Sequence, residues 1–173
     1  IWDLPTAIRR VRDFEPFRLK WIEEPLPPHD LDDYARLRRA VSTPIGTGEQ
    51  AWNTEGYRRL IRSGGVGVVQ MDPGRALGIT GCRKVIQLVE AENLQWSAHT
   101  WSSAINSAAS VHLVASSNRG LMNLKPHPSP MQHELVSDPW VQEDGYLAVR
   151  DAPGWGSTCA KTPSTTTRRS DRP

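Results

Sequence analysis

The chain has 173 residues, about one domain's worth, with 38% hydrophobic and 23% charged residues, a balance that suits a soluble globular protein with a sizeable core. No apolar run is long enough to cross a membrane, and no basic-plus-apolar leader opens the chain. The net charge of +2 comes from the tail: from Ser157 onward four basic residues stand against one acid, a surplus of +3 that leaves the rest at −1. That body carries no basic stripe, so neither nucleic acid nor a membrane is expected as partner. Cys82 and Cys159 are isolated thiols without metal or redox spacing, which points to a reducing, cytoplasmic setting.

The first residues predict a helix, with Asp3 as cap, Pro5 in the first turn, and Ala7, Ile8, Val11 and Phe14 at helical spacing. Arg18 to Ile22 reads as a short strand ending in Glu23-Glu24-Pro25. Asp30 to Val41 is helical, with Leu31, Tyr34, Leu37 and Val41 on one face, and Pro44 to Thr47 is the next strand, closed by Gly48-Glu49. Asn53 or Thr54 caps a helix through Ile61. Val66 to Met71 is a strand, Gly78 to Glu90 a helix, Leu94 to Ala98 a strand, and Ser103 to Ala115 a helix rich in small residues. A weaker strand candidate covers Leu121 to Leu124, and Tyr146, Leu147 and Val149 read as a C-terminal strand after an Asp144-Gly145 turn.

Strands separated by helices imply parallel βαβ units, in an open doubly wound sheet or a β/α barrel. No glycine-rich phosphate loop follows any strand, and each good strand ends in its own polar residue, Glu23, Glu49, Asp72 and His99, separated by 26, 23 and 27 residues. Groups collected from successive strand ends are how a barrel builds a site on its C-terminal face, so the barrel is favoured. Only about five strands are found where a closed barrel takes eight, and Ile1 opens on a helix; the expectation is the C-terminal part of a barrel.

Glu23 and Glu49, with no nearby cysteine, suit a hard, oxygen-loving cation, Mg²⁺ rather than Zn²⁺, with a third acidic ligand expected from the preceding strand. Asp72 and His99 form a candidate base and orienter: a carboxylate on one ring nitrogen keeps the other nitrogen aimed and basic. Metal plus base is the set needed to remove a proton alpha to a carboxylate.

The segments W-I-E-E-P-L at Trp21 to Leu26, G-E at Gly48-Glu49, Q-M-D at Gln70 to Asp72, G-I-T at Gly78 to Thr80 and S-A-H-T-W at Ser97 to Trp101 resemble the enolase superfamily, and within it the mandelate racemase subgroup with its many acid-sugar dehydratases. The resemblance spans roughly residues 1–156. It implies a modified (β/α)₇β barrel with Glu23, Glu49, Asp72 and His99 after strands four to seven. Glu23 and Glu49 would be Mg²⁺ ligands, and Asp72 and His99 the general-base dyad, with His99 also able to return its proton to a departing hydroxyl.

Three departures stand out. The family's remaining metal ligand, its Lys-x-Lys base and its capping domain would lie before Ile1. The family's Glu on the eighth strand matches Asn123, which can donate a hydrogen bond but cannot act as an acid. After Gly156 the family pattern stops, and residues 157–173 are expected to be a disordered, non-native tail produced by a frameshift. Restoring one base with G/C-rich codons turns that tail into Val-Asp-Val-Arg-Glu-Asp-Ala-Val-Asp, similar to the family's continuation.

Taken singly, an acid after a strand is more often a cap or a solvated loop residue than a ligand; it is the periodic placement that makes these a set. Glu24 reads as a cap or a support for the ligands, His29 and Trp101 as candidate substrate contacts beside Asn123, and Asn106 as a possible pocket residue. His112 reads as structural, and His127 and His133 flank a proline-rich loop. The leading reading is Mg²⁺-dependent dehydration of a sugar acid to a 2-keto-3-deoxy acid. A racemase or epimerase of a 2-hydroxy acid, or a catalytically inactive truncated fragment, are the alternatives, and the chain on its own is expected to show no turnover. The partner would be a small carboxylate, with the full-length form a homo-oligomer.

Overall fold

The structure is a computed structural model that describes residues 1–76, 78–123 and 129–160. Helix α1 (Leu4–Phe14) starts where Asp3 accepts the Thr6 N–H at 2.9 Å, and Pro5 sits in its first turn, where its missing N–H costs nothing. Strand β1 (Ile22–Glu23) follows, then α2 (Leu31–Ala40), β2 (Ile45–Thr47), α3 (Thr54–Arg62), β3 (Val68–Met71), α4 (Gly78–Ala91), β4 (Gln95–His99), α5 (Ala104–Ala115), β5 (Gly120–Asn123) and the single turn α6 (Pro130–His133). Asn53 caps α3 through Gly56 N–H at 2.8 Å, and Ser103 caps α5 through Asn106 N–H at 3.3 Å.

All five strands run parallel in the order β1-β2-β3-β4-β5. Among the described residues the strand order does not reverse, so this sheet is singly wound, as in a barrel, without a switch point of the doubly wound kind. Its helices pack on one face. Val69, Met71, Trp96 and Ala98 meet Tyr57, Leu60, Val85, Ile86, Val89 and Leu113 in one apolar cluster. Ile45 and Leu26 meet Ala7, Val11, Tyr34, Leu37 and Val41 in a second. The opposite face carries Gln70, Asp72, Ser97 and His99, because side chains alternate along a strand and register partners share a face. Among the described residues no helix is long and apolar enough to cross a membrane.

Two expectations are corrected. The strand read over Arg18 to Ile22 begins only at Ile22: Glu15–Phe17 form a 3₁₀ turn capped by Arg18 at φ 51°, because the chain must reverse after α1 before it can join the sheet. The strand read at Tyr146 to Val149 does not form. Asp144 (φ 49°) and Gly145 (φ 83°) make the expected turn, and Glu143 and Tyr146 exchange backbone hydrogen bonds at 3.0 and 2.8 Å. No further pairing follows, and Tyr146 and Val149 stay exposed for want of a partner strand. Of the tail, Ser157–Ala160 lies against Leu135–Ser137 through the Val136–Cys159 bridge and the Ala160 N–H to Leu135 carbonyl bond of 2.9 Å. The expectation for 161–173 falls outside the described residues.

Candidate active site

The sheet's inner face is built by register. Glu23 pairs with Gly46, Gly46 with Val68, and Val68 with Gln95. Stepping two and four residues up β3 and β4 on that face leads to Gln70 and Ser97, then to Asp72 and His99. Strand alternation would send Glu49 to the other face. Gly48 prevents this: its φ of +130° turns the chain, and a Cβ there would stand 2.7 Å from the Gln70 carbonyl oxygen. Glu49 is thereby brought to His99.

The result is an imidazole held at both nitrogens. His99 Nδ1 lies 2.7 Å from Asp72 Oδ2, and Nε2 lies 2.9 Å from Glu49 Oε2. Asp72, 1% exposed, also accepts the Gly74 N–H at 2.7 Å, so the loop after β3 locks the carboxylate that aims the ring. Asn106 closes the arrangement from α5, its amide donating to the His99 carbonyl at 3.4 Å. The hydrogen bond to Asp72 raises the His99 pKa above the ordinary 6.5; burial opposes this, and the Glu49 charge adds to it. For Asp72 burial pushes upward, but the bonds from His99 and Gly74 outweigh it and hold the carboxyl below its ordinary 3.8.

The carboxylates divide. Glu23 is exposed on the inner face, while Glu24, at φ 39°, is half-buried and accepts the Thr47 hydroxyl at 3.2 Å. Burial first, then the charge of Glu49, raises the Glu24 pKa. Glu49 also accepts from Gln50 Nε2 at 3.1 Å and lies 3.7 Å from Arg75 Nη1. A group of carboxylates in which Glu49 and Glu23 help raise the pKa of Glu24, with no sulfur donor beside it, has the donor chemistry of a hard divalent cation. Among the described residues, however, no three His, Cys, Asp or Glu side chains are grouped to enclose a metal ion. Glu23 and Glu49 supply at most two such donors and do not by themselves complete a cation site among the described residues.

The expected substrate contacts take different places. His29 is exposed and lines a cavity with Gln50 and Trp52. Trp101 is 52% exposed two residues beyond β4. Asn123 stands opposite His99 in the β4–β5 register. Asn106, read as a pocket residue, is 7% exposed and braces the dyad instead. His112 faces the Trp155 carbonyl at 3.4 Å, far along α5 from the dyad, in keeping with a structural role. His133 ends α6, and His127 lies outside the described residues. Gln70 and Ser97 were passed over in the sequence, although both stand two residues before a dyad member. Both are fully buried directly below the dyad, and their side-chain polar atoms have no hydrogen-bond partner among the described residues. Period-two spacing from Asp72 and His99 was the signal that could have found them.

A singly wound parallel sheet with a carboxylate–imidazole pair at its strand ends defines an enolase-type barrel domain. The enolase C-terminal domain-like family model matches residues 1–162, and the chain belongs to that family. L-talarate/galactarate dehydratase of Salmonella typhimurium is 32% identical over 160 residues, 92% of this chain and 38% of that protein. The crystal structure of 3,6-anhydro-D-galactonate cycloisomerase from Zobellia galactanivorans superposes with a TM-score of 0.86 at 33% identity, over 91% of this chain and 45% of that one. L-talarate dehydratase from Polaromonas sp. JS666, complexed with Mg and L-glucarate, gives a TM-score of 0.83 at 32% identity over 97% and 45%. The chain thus spans about two fifths of the length of these relatives, in their C-terminal barrel part.

Proposed function

We propose that this chain carries the base-bearing part of a site that removes a proton alpha to a carboxylate with Mg²⁺ and dehydrates a sugar acid to a 2-keto-3-deoxy acid. The observation that carries the reading is the Asp72–His99 pair at 2.7 Å with Glu49 at the other ring nitrogen. When Nε2 gives up to solvent the proton it shares with Glu49, Nδ1–H stays donated to Asp72 and the neutral ring carries its lone pair on Nε2. Released from Glu49, Nε2 takes the α-proton, and the electron pair left on the α-carbon moves into the carboxylate as an enediolate. Collapse of the enediolate expels the β-hydroxyl, which takes the proton back from Nε2 and leaves as water. The enol that remains tautomerises to the 2-keto-3-deoxy acid. A magnesium ion held in part by Glu23 and Glu49 would supply positive charge beside the substrate carboxylate, where negative charge accumulates.

One histidine can perform both proton transfers of a dehydration, whereas racemisation needs a base on each side of the carbon. Which of the two reactions the site serves turns on the opposing base of the whole protein, and the products separate them. The test is incubation of the full-length protein that carries this chain with Mg²⁺ and a panel of hexonic and hexaric acids in D₂O. The expected outcome is a 2-keto product that disappears in His99→Asn. Deuterium at the α-carbon without keto product would give the racemase reading, and neither product nor exchange would sink catalysis by this chain.

A further inference from the structure

Strand β1 is the least secured part of the sheet, yet it carries a site residue. It is two residues long and an outer strand, paired with β2 alone, so Glu23 stands at the end of an element with few ladder bonds of its own. At its two ends the Ile22 N–H is donated to the Pro44 carbonyl and the Glu24 N–H to the Gly46 carbonyl, both at 2.9 Å.

The residue after the strand is strained. Glu24 takes a φ of 39°, in the left-handed region that a side chain disfavours, and such a residue persists only where its surroundings over-determine it. Three consecutive residues are anchored here. The Glu24 carboxylate accepts the Thr47 hydroxyl at 3.2 Å, the Pro25 carbonyl accepts the Trp2 N–H at 2.8 Å, and the Leu26 carbonyl accepts the Tyr34 hydroxyl at 2.7 Å. The buried Thr47 and Tyr34 hydroxyls also interact with each other, so β2 and α2 are joined behind the turn. Of these anchors, the Thr47 bond is the one that grips the strained residue by its side chain. Burial and the charge of Glu49 both oppose a carboxylate at this place, and the Thr47 hydroxyl works against them.

We propose that Glu24 is a positioning residue: clamped by Thr47, it holds the strained turn after β1 and so keeps the Glu23 carboxylate in place on the inner face of the sheet. With the clamp removed, φ at Glu24 is free to return to the negative region. That rotation turns the peptide joining Glu23 to Glu24, breaks the bond from the Glu24 N–H to Gly46, and frees the end of β1. The inference rests on the reading of Glu23 as part of the reacting site, and it gives Glu24 no contact with the reacting atoms.

The test uses the full-length protein that carries this chain. Thr47→Val removes the hydroxyl and keeps the volume, and Thr47→Ser keeps the hydroxyl. Glu24→Ala removes the acceptor, and Glu24→Gln keeps an acceptor oxygen without the charge. Two properties are measured: kcat and KM on a sugar acid that the unaltered protein converts, and hydrogen exchange by mass spectrometry of peptides over residues 20–26, with β3 peptides as control. Thr47→Val and Glu24→Ala should lower kcat about tenfold with KM within about twofold, less than the roughly hundredfold that a misplacement of 1 Å can cost. Both should speed exchange over residues 20–26 and leave β3 unchanged. Thr47→Ser and Glu24→Gln should restore most of both properties. Unchanged kcat and exchange in Thr47→Val, or a loss that Thr47→Ser does not restore, would overturn the clamp. Faster exchange in β3 as well would overturn it too, because Thr47 would then support the sheet in general. A kcat as low in Glu24→Gln as in Glu24→Ala would place the charge itself in the reaction and remove the positioning role. The expected exchange pattern without keto product from the unaltered protein would sink the acid-sugar reading and leave the clamp standing. Undiminished keto product from Thr47→Val would do the reverse.

Discussion

His99 is flanked by two carboxylates, and its proton is decided by them. The Asp72 hydrogen bond raises its pKa above 6.5, and the same bond helps hold Asp72 below 3.8. The signs give a window. The His99 contribution to stability is fully present below 6.5 and is lost as pH rises through the raised folded value. The Asp72 contribution is present above 3.8 and is lost as pH falls through its lowered folded value. The pair therefore stabilises most between those limits. An NMR titration of the His99 ring should give a midpoint above 6.5 in the unaltered chain and a lower one in Asp72→Asn. A midpoint at or below 6.5 in the unaltered chain would mean that burial, not Asp72, governs the ring.

Among the elements, β2 and the turn after it decide whether a site exists. Three residues of strand carry Ile45 and Thr47 to the helix face, and the fourth, Gly48, breaks the alternation so that Glu49 arrives on the inner face. Gly48→Ala places a methyl group 2.7 Å from the Gln70 carbonyl and 3.1 Å from the Leu60 side chain at a φ of +130°. Such strain costs on the order of 1–3 kcal/mol, to be read as a lowered urea midpoint. The His99 midpoint should fall with it, as Glu49 moves away. An unchanged midpoint for both would show that the turn tolerates a side chain.

This turn also marks what could be read in the sequence and what could not. Helices α1 to α5 were legible because caps and apolar spacing are local: Asp3 accepts the N–H expected of it, and of the two caps offered for α3 it is Asn53 that does so. The parallel order followed from alternating periods, and Asp72 with His99 from their places at strand ends. The bond between Glu49 and His99 Nε2 was not legible, because it depends on a backbone angle at Gly48 and on the curl of a sheet. The split between exposed Glu23 and Thr47-bound Glu24 likewise depends on which way β1 faces, and a two-residue strand leaves little pattern to read.

In the whole molecule the two apolar clusters are joined unequally. The cluster of α1, α2 and Ile45 is tied to the rest through β2, which meets β3 in two registered pairs, Gly46–Val68 and Thr47–Val69, and through Leu31 of α2, which packs on the other cluster. The β3–β4 and β4–β5 ladders have four pairs each, and β3 is buried on both faces. Most of what holds α1 against α2 at the surface is exposed and polar, such as Arg12 to the Ala40 carbonyl at 3.0 Å and Glu15 to the Ser42 N–H at 2.6 Å, and exposed bonds of this kind contribute little. The β2–β3 seam is thus the place where the chain should open first. In native-state hydrogen exchange, amides of β3 and β4 should be the slowest, and those of α1, β1 and α2 should exchange together and earlier at low denaturant. Because Glu23 and Glu49 belong to the early-opening side and Asp72 and His99 to the late one, a ligand bridging them should slow the first group and leave the second nearly unchanged. Uniform protection across the seam, with or without ligand, would show that the two clusters unfold as one.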